Sequence, residues 1–409
     1  MGMMQRLDNP VPLMRQLSLR AVMETVLHRG PISRSQIARE TGLSKQTISE
    51  VMRVLEEAGW VRETGRTHGA IGRTAVTYEV RPDAAFVLGI DLGGSKVIVA
   101  LADLACSIVD EAVEPTDLTG GQAIIAQIVA LRDMLVARSG IDVGRIKVAV
   151  LGSPGVLDPG SGAIRLAPNI PDFDGFDVRD ALETALGCPV RVENDVNLGV
   201  IGEHWQGRGR DAATLVFMAI GTGIGAGVLV DGKLLRGARG AAGEVSYLPL
   251  GGDPFDPELR AKGVFEAAAA AGGIVARYEA AGGESGLTVR DIFDRAAVGE
   301  APAGNTLAET ARLLALAIAA ICAVVDPERV VLGGSIGIRP EMRDLIEPEL
   351  RRCLIDPPPV ECSSLGNRAT LIGSLAVGLN RLHNALFGAN DLPGELPLPL
   401  TLRMLTDAA

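Results

Sequence analysis

Two stretches of this 409-residue chain share a pattern that narrows its possible folds more than any other feature. The first, AFVLGIDLGGSKVIVALADL (85–104), runs apolar, then polar and glycine-rich, then apolar again. The second, ATLVFMAIGTGIGAGVLVDGKLL (213–235), repeats that order in the middle of the chain. Each reads as two strands joined by a glycine turn, and their recurrence predicts a duplicated architecture. Both turns leave backbone N–H groups bare where a phosphate can approach. GRIKVAVLGSPGVLD (144–158), CPVRVENDVN (188–197) and ERVVLGGSIG (328–337) are further apolar runs that end in polar or glycine-rich segments. Helical stretches at 121–139, 177–186 and 305–325 alternate with them, which predicts an α/β fold with ligands at the strand ends. GTGIGAG (221–227) is no dinucleotide fingerprint, because another strand and hairpin turn follow it where a helix would have to open.

The N-terminal region has a different logic. MRQLSLRAVMETVLHRG (14–30) carries a helical stripe at 19, 22, 23, 26 and 27, and Gly30-Pro31 stops it. Ser33 caps a short helix that ends at Thr41-Gly42, and Ser44 caps the next, KQTISEVMRVLEEAG. Ala38 is small where two helices cross, and Gly42 can take the left-handed turn between them. Gln46, Ser49 and Arg53 recur on the outward face of the second helix, with Lys45 and Thr47 in its first turn. This is helix-turn-helix spacing, in which the second helix enters a DNA major groove by its N-terminal end. WVRETGRTHGAIGRTAVTYEV (60–80) then reads as a winged hairpin with Arg66, His68 and Arg73 in or beside its turn, within reach of phosphates.

Charge agrees with that division. Residues 1–82 hold twelve Lys and Arg against eight Asp and Glu, a net of +4, whereas the whole chain is −11. A basic module on an acidic body points to a polyanion contacted by the module alone. The five scattered cysteines form no CxxC pair, which argues against a disulfide framework or a cysteine zinc site and suits a reducing, cytoplasmic setting. MGMMQRLDNP lacks the apolar core of a signal peptide, and the apolar run Leu313 to Val325 is too short to span a bilayer. The four histidines show no metal spacing.

Taken in order, DLGGSK (91–96), GSPGVLD (152–158), LAPNIPDFDG (166–175), ENDVNLGVIGE (193–203), GTGIGAGVLVDGKLLRGARGAAGE (221–244) and VVLGGS (330–335) resemble the ROK family of repressors and sugar kinases across residues 86–380. The resemblance implies a duplicated actin-like, ribonuclease H-like sugar kinase fold behind the winged helix-turn-helix, an arrangement found among the family's repressors. The expected units are 1–82, a first α/β lobe 83–196 with a C-terminal helix 370–388 packed back on it, a second lobe 197–369 and a tail 389–409.

The resemblance also assigns residues. Asp195 matches the base that takes a proton from a sugar hydroxyl attacking ATP in the kinases. Asn169, Asn194, Glu244 and Glu266 match sugar contacts. Asp91, Gly94, Ser95, Lys96, Gly221, Thr222 and Gly223 match the two phosphate segments, and Gly333 and Gly334 the adenosine-side turn. From residue type alone, Asp195 could equally cap a helix starting at Val196. Two departures stand out. Tyr247 occupies the place of a zinc-binding histidine, and LPLGGDPFDPELRAKGVFEAAAA has none of the expected cysteines, so no structural zinc is expected.

Two readings follow. One is a sugar-responsive transcriptional regulator, a repressor acting on operator DNA as a homodimer or tetramer, with no cofactor and no membrane. The other is a Mg-ATP-dependent sugar kinase that also binds DNA.

Overall fold

The computed structural model describes residues 13–68, 74–157, 164–165 and 177–386. Asn169, Arg73 and the tail 389–409 lie outside them, as do the side chains of Arg66 and His68. The N-terminal unit runs α1 (Leu13–Arg29), β1 (Ile32–Ser33), α2 (Arg34–Thr41), α3 (Lys45–Glu57), β2 (Val61–His68) and β3 (Thr74–Val80). Ser33 opens α2 in a reciprocal box with Gln36, and Ser44 caps α3 by accepting from the Thr47 N–H. Both serines satisfy donors that a helix start leaves without partners. Gly42 closes α2 at φ 69°. β2 and β3 form the wing, and β1 adds to β3 for a strand order β1-β3-β2. β1 has no sequence signal, because two residues are too few to show a period. Arg34 stacks over the Tyr78 ring at 5.0 Å and pairs with Glu56 at 2.9 Å, so α2 is fastened to both α3 and the wing.

The first lobe contains β4 (Phe86–Leu92), β5 (Lys96–Asp103), β6 (Ile108–Pro115), α4 (Gly121–Ser139), β7 (Ile146–Ser153), β8 (Val156–Leu157), β9 (Ile164–Arg165), α5 (Val178–Leu186) and β10 (Val190–Asn194). The second contains α6 (Asp195–Gln206), β11 (Leu215–Ile220), β12 (Ile224–Val230), β13 (Lys233–Leu234), α7 (Pro257–Lys262), α8 (Val264–Ala269), α9 (Ala271–Ala280), α10 (Val289–Ala297), α11 (Ala301–Val325), β14 (Arg329–Gly333), α12 (Gly334–Gly337), α13 (Pro340–Cys353) and β15 (Val360–Cys362). α14 (Ala369–Leu386) follows.

The two large sheets have one plan. The first is ordered β10-β7-β4-β5-β6 and the second β15-β14-β11-β12-β13. In each, the earliest strand is central, with an antiparallel pair on one side and two parallel strands on the other. The duplication expected from the paired glycine turns is therefore one of topology, and the turns β4–β5 and β11–β12 occupy equivalent corners.

Two helices have bounds that the sequence pattern does not show. The Ala-rich stretch 266–277 is divided at Ala270, whose backbone is extended (ψ 177°). The break frees the Ala271 N–H to donate to the Gly221 carbonyl at 2.9 Å. α11 begins at Ala301, ahead of the expected 305, and its 25 residues are long and apolar enough to cross a membrane. It is a core helix instead, with Leu307, Ala311, Leu314 and Ile318 buried in the second-lobe core beside Ile346 and Leu350 of α13.

α6 and α14 exchange lobes. α6 leaves the first sheet at β10 yet packs on β11 and β12, whereas α14 leaves the second lobe and packs on β4 and β7. They cross at glycine. A Cβ on Gly202 would stand 2.2 Å from the Ala369 carbonyl oxygen, and one on Gly373 would stand 1.8 Å from that of Leu198. α14 also reaches the N-terminal unit. Leu371, Leu375 and Leu379 belong to one apolar cluster with Val22, Met23, Ile37 and Met52 of the winged helix and Val87 and Leu104 of the first lobe. Buried His383 places Nε2 3.0 Å from the Leu104 carbonyl oxygen.

The Gly373→Ala substitution tests the crossing. Helix propensity alone would favour alanine by about 1 kcal/mol. Overpacking against a backbone carbonyl costs roughly 1–3 kcal/mol and more where neither helix can yield. We expect a lower chemical-denaturation midpoint, and one at or above wild type would mean that the helices can separate.

Candidate functional site

Register places the parallel strand ends of the first lobe side by side. Asp91 pairs with Gly152, and Gly152 with Glu193, so β4, β7 and β10 finish at one level. The turns Gly93–Ser95 and Gly221–Gly223 and the end of β14 stand at matching edges of the two sheets. Ligands of open α/β sheets bind in such crevices beyond the carboxyl ends of strands.

Asp195 is the first residue of α6, so the helix starts one residue earlier than Val196. Asn194, rather than Asp195, caps it: its Oδ1 accepts from Val196 N at 3.1 Å and Asn197 N at 3.2 Å. The Asn194 amide donates to the Gly155 carbonyl at 3.0 Å. The Oδ1 and one amide hydrogen of that side chain thus hold the fold, and its second amide hydrogen is the one a ligand hydroxyl would meet. Asp195 Oδ1 accepts its own helix's Val196 N–H, at 2.8 Å, and the Thr370 hydroxyl donates to the Asp195 carbonyl at 3.1 Å.

Around Asp195 the charges are of one sign. Burial raises the Asp195 carboxyl above the usual range, against the pull of the Val196 N–H. Burial also raises Glu244, and the charges of Asp195 and Glu266 raise it further. Glu266 is raised by burial while its Oε2 accepts from Ile224 N at 2.9 Å, on the second glycine turn. Asp91 is carried up to about 7 by burial and then by Asp195, with Lys96 opposing. Tyr247 is raised by burial and by Glu244 and Glu266, and its side chain is largely exposed. The carboxylates Asp91, Asp195, Glu244 and Glu266 therefore form one electrostatic group drawn from both lobes. Such a group can accept hydrogen bonds from hydroxyls, and burial favours the protonated form of Asp195.

The expected phosphate residues flank it. Gly94, Ser95 and Thr222 are exposed, Lys96 opens β5, and the Gly93 carbonyl accepts from the Thr116 hydroxyl at 2.7 Å. Gly221 lies against Ser335, just after Gly333 and Gly334, so the second turn and the β14 turn meet. Gly333 has no room for a side chain, since its Cβ would meet the Phe217 ring at 2.2 Å. Two functional-looking residues escaped the sequence reading. Glu193 and Arg236 form an ion pair at 2.7 Å across the lobes, and only the tertiary structure joins them.

On the winged helix, Lys45, Gln46, Ser49 and Arg53 are exposed on α3. The Thr47 hydroxyl lies 2.8 Å from that of its cap Ser44, and Arg53 pairs within the helix with Glu57 at 2.7 Å.

Comparison with known proteins agrees with both parts. The ROK family model matches residues 87–380, and the MarR family model matches residues 20–70. The chain belongs to the ROK family. The xylose repressor of Caldicellulosiruptor bescii is 25% identical over 386 residues, covering 89% of this chain and 96% of that protein. The crystal structure of a ROK transcriptional regulator described as a homologue of the E. coli MLC protein superposes with a TM-score of 0.74 at 23% identity, over 91% of this chain and 98% of that one. The ROK hexokinase of Thermus thermophilus gives 0.63 at 29% identity, over 73% of this chain and 99% of that one.

Zinc does not fit this ROK body. Tyr247 offers a phenol, the segment 248–263 brings no thiolate, and among the described residues no group of three His, Cys, Asp or Glu could hold a metal ion. A tetrahedral structural zinc needs thiolates or imidazoles.

The raised Asp91 makes a pH prediction. A carboxyl raised in the folded state stabilises the fold fully below its ordinary pKa and loses that contribution as pH rises through about 7. Asp91→Asn should match wild type at pH 4 and exceed it at pH 8 by on the order of 2–4 kcal/mol. Chemical denaturation at the two pH values checks this, and an equal difference at both would contradict it.

Proposed function

We propose that the chain is a sugar-responsive transcriptional repressor that binds operator DNA through its winged helix and a sugar or sugar derivative between its lobes. The observation that carries this reading is the continuity of α14. Its first turn touches the backbone of Asp195, and its apolar face shares one core with the DNA-binding helices. A ligand that favours one arrangement of the lobes then biases the seating of the winged helices. Asp195, Glu244 and Glu266 accept from the sugar hydroxyls, with Asn169 as a further contact. Gln46, Ser49 and Arg53 face the major groove, Lys45, Thr47 and Arg73 contact the backbone beside it, and two-fold operators call for a homodimer or tetramer. The C. bescii relative is by name a xylose repressor, which makes D-xylose the first effector to try.

Kinase activity is the second reading, favoured by one observation: Asp195 stands between two glycine turns suited to phosphates. There Asp195 would be the base, Asp91, Gly94, Ser95, Lys96, Gly221, Thr222 and Gly223 would hold the phosphates of Mg-ATP, and Gly333 and Gly334 its adenosine. Asp195 would accept the hydroxyl proton as that oxygen attacks the γ-phosphate.

Fluorescence anisotropy on fragments of the chain's own promoter region, with and without D-xylose, D-glucose and other sugars, tests the first reading. Arg53→Ala should weaken operator binding about tenfold and relax its sequence preference, whereas Lys45→Ala should weaken it on all sequences and flatten the salt dependence by about one unit of slope. An unchanged affinity would remove α3 from the interface. ADP release with Mg-ATP and the same sugars tests the second, where turnover lost in Asp195→Asn would establish an enzyme.

A further inference from the structure

Glu193 is a buried carboxylate, 5% exposed, two residues before Asp195. Its two oxygens have separate tasks, one at the start of α6 and one on arginine. Oε1 accepts from the Asn197 amide at 3.2 Å and from the Asn194 N–H at 3.3 Å, both at the start of α6. Oε2 accepts from Arg236 Nε at 3.0 Å and Nη2 at 2.7 Å, with Arg191 Nη2 farther off at 3.4 Å. Arg236 follows β13 in the second lobe and begins the segment RGARGAAGE that ends in Glu244.

That segment is held to β12 at its two ends. Leu235 N, just before it, donates to Val228 O at 2.9 Å, and Ala226 N donates to Gly243 O at 3.0 Å, while Ala242 N closes an internal turn on Arg236 O at 3.1 Å. Gly243 sits so close to β12 that a Cβ there would stand 1.9 Å from Ala226 O. The backbone bonds fix the segment to its own lobe. Among the described residues the Arg236 head ties it to the other lobe, ending on the carboxylate that also organises the Asp195 helix start.

We propose that Glu193 and Arg236 are positioning residues, a latch across the cleft that sets the Glu244 segment against Asp195 and so sets the affinity of the site for its sugar. This rests on the sugar-site reading for its binding consequence, but not for the latch itself. A buried charge holds a fixed partner more tightly than an exposed pair does, because solvent cannot compensate it. Arg236 supplies both of its bonds from one planar fork, which lysine cannot reproduce. With Arg191 still beside Glu193, loss of Arg236 leaves the carboxylate a counter-ion, so the segment loosens without leaving a bare buried charge.

Hydrogen exchange on the full-length chain reads the latch with no ligand. In Arg236→Gln, peptides covering 236–245 should exchange at least tenfold faster, while α14 peptides keep their protection. Unchanged protection of 236–245 overturns the proposal. Calorimetric titration with D-xylose and D-glucose reads the consequence. For a sugar that binds wild type, Arg236→Gln should weaken binding at least tenfold and Arg236→Lys less. Equal affinity in wild type and Arg236→Gln overturns the positioning role and leaves the sugar site standing. Should neither sugar bind wild type, the sugar reading loses its support while the exchange measurement still decides the latch. If Arg236→Gln does not fold, Glu193→Gln, which keeps the volume and removes the charge, carries the same readouts.

Discussion

Everything in this molecule depends on two helices passing within backbone distance of each other. α6 and α14 each start at the end of one sheet and pack on the other, and they cross where Gly202 meets Ala369 and Gly373 meets Leu198. A side chain at either glycine would hold the axes apart, and with them the lobes. Close-packed interiors do not absorb such a change gradually, because contacts are lost or overlapped within a fraction of an ångström. The crossing therefore sets the width of the cleft in which Asp91, Asp195, Glu244 and Glu266 gather.

The same crossing makes the DNA-binding unit part of the body. α14 carries its apolar face from the Asp195 backbone to the core of the winged helix, and His383 is buried against the Leu104 carbonyl on the way. A module joined only by a linker would report nothing of the cleft. Here α14 lies against the Asp195 backbone and belongs to the same apolar cluster as the helices of the N-terminal unit.

The electrostatics of the cleft have one sign and little compensation. Burial raises each carboxylate, neighbouring carboxylates raise Asp91 and Glu244 further, and Lys96 opposes this only at Asp91. The cost of bringing these groups together is borne by the rest of the fold, as is common where binding or proton transfer is required. Hydrogen-bond donors brought to these carboxylates would relieve that cost.

Much of this was legible in the amino-acid order, because it is written in local chemistry. Ser33 and Ser44 announced their helices, Gly42 the turn between them, and the two strand–glycine–strand units the duplicated sheets. Those signals lie within a few residues of what they determine. The rest is decided by distant partners. Asn194 has the type and spacing of a ligand contact, and the fold gives it a second task, since its carbonyl caps α6 and one amide hydrogen meets Gly155. The run of alanines at 267–271 has high helical propensity and still breaks at Ala270, where the Ala271 N–H leaves the helix to meet the Gly221 carbonyl. Glu193 and Arg236 look like ordinary surface charges until the lobes close over one of them. Local propensity and pattern determined the elements and the residues able to do chemistry, while only the tertiary structure decided which of those residues meet. Hydrogen bonds and close packing between segments far apart in sequence depend on the path of the whole chain.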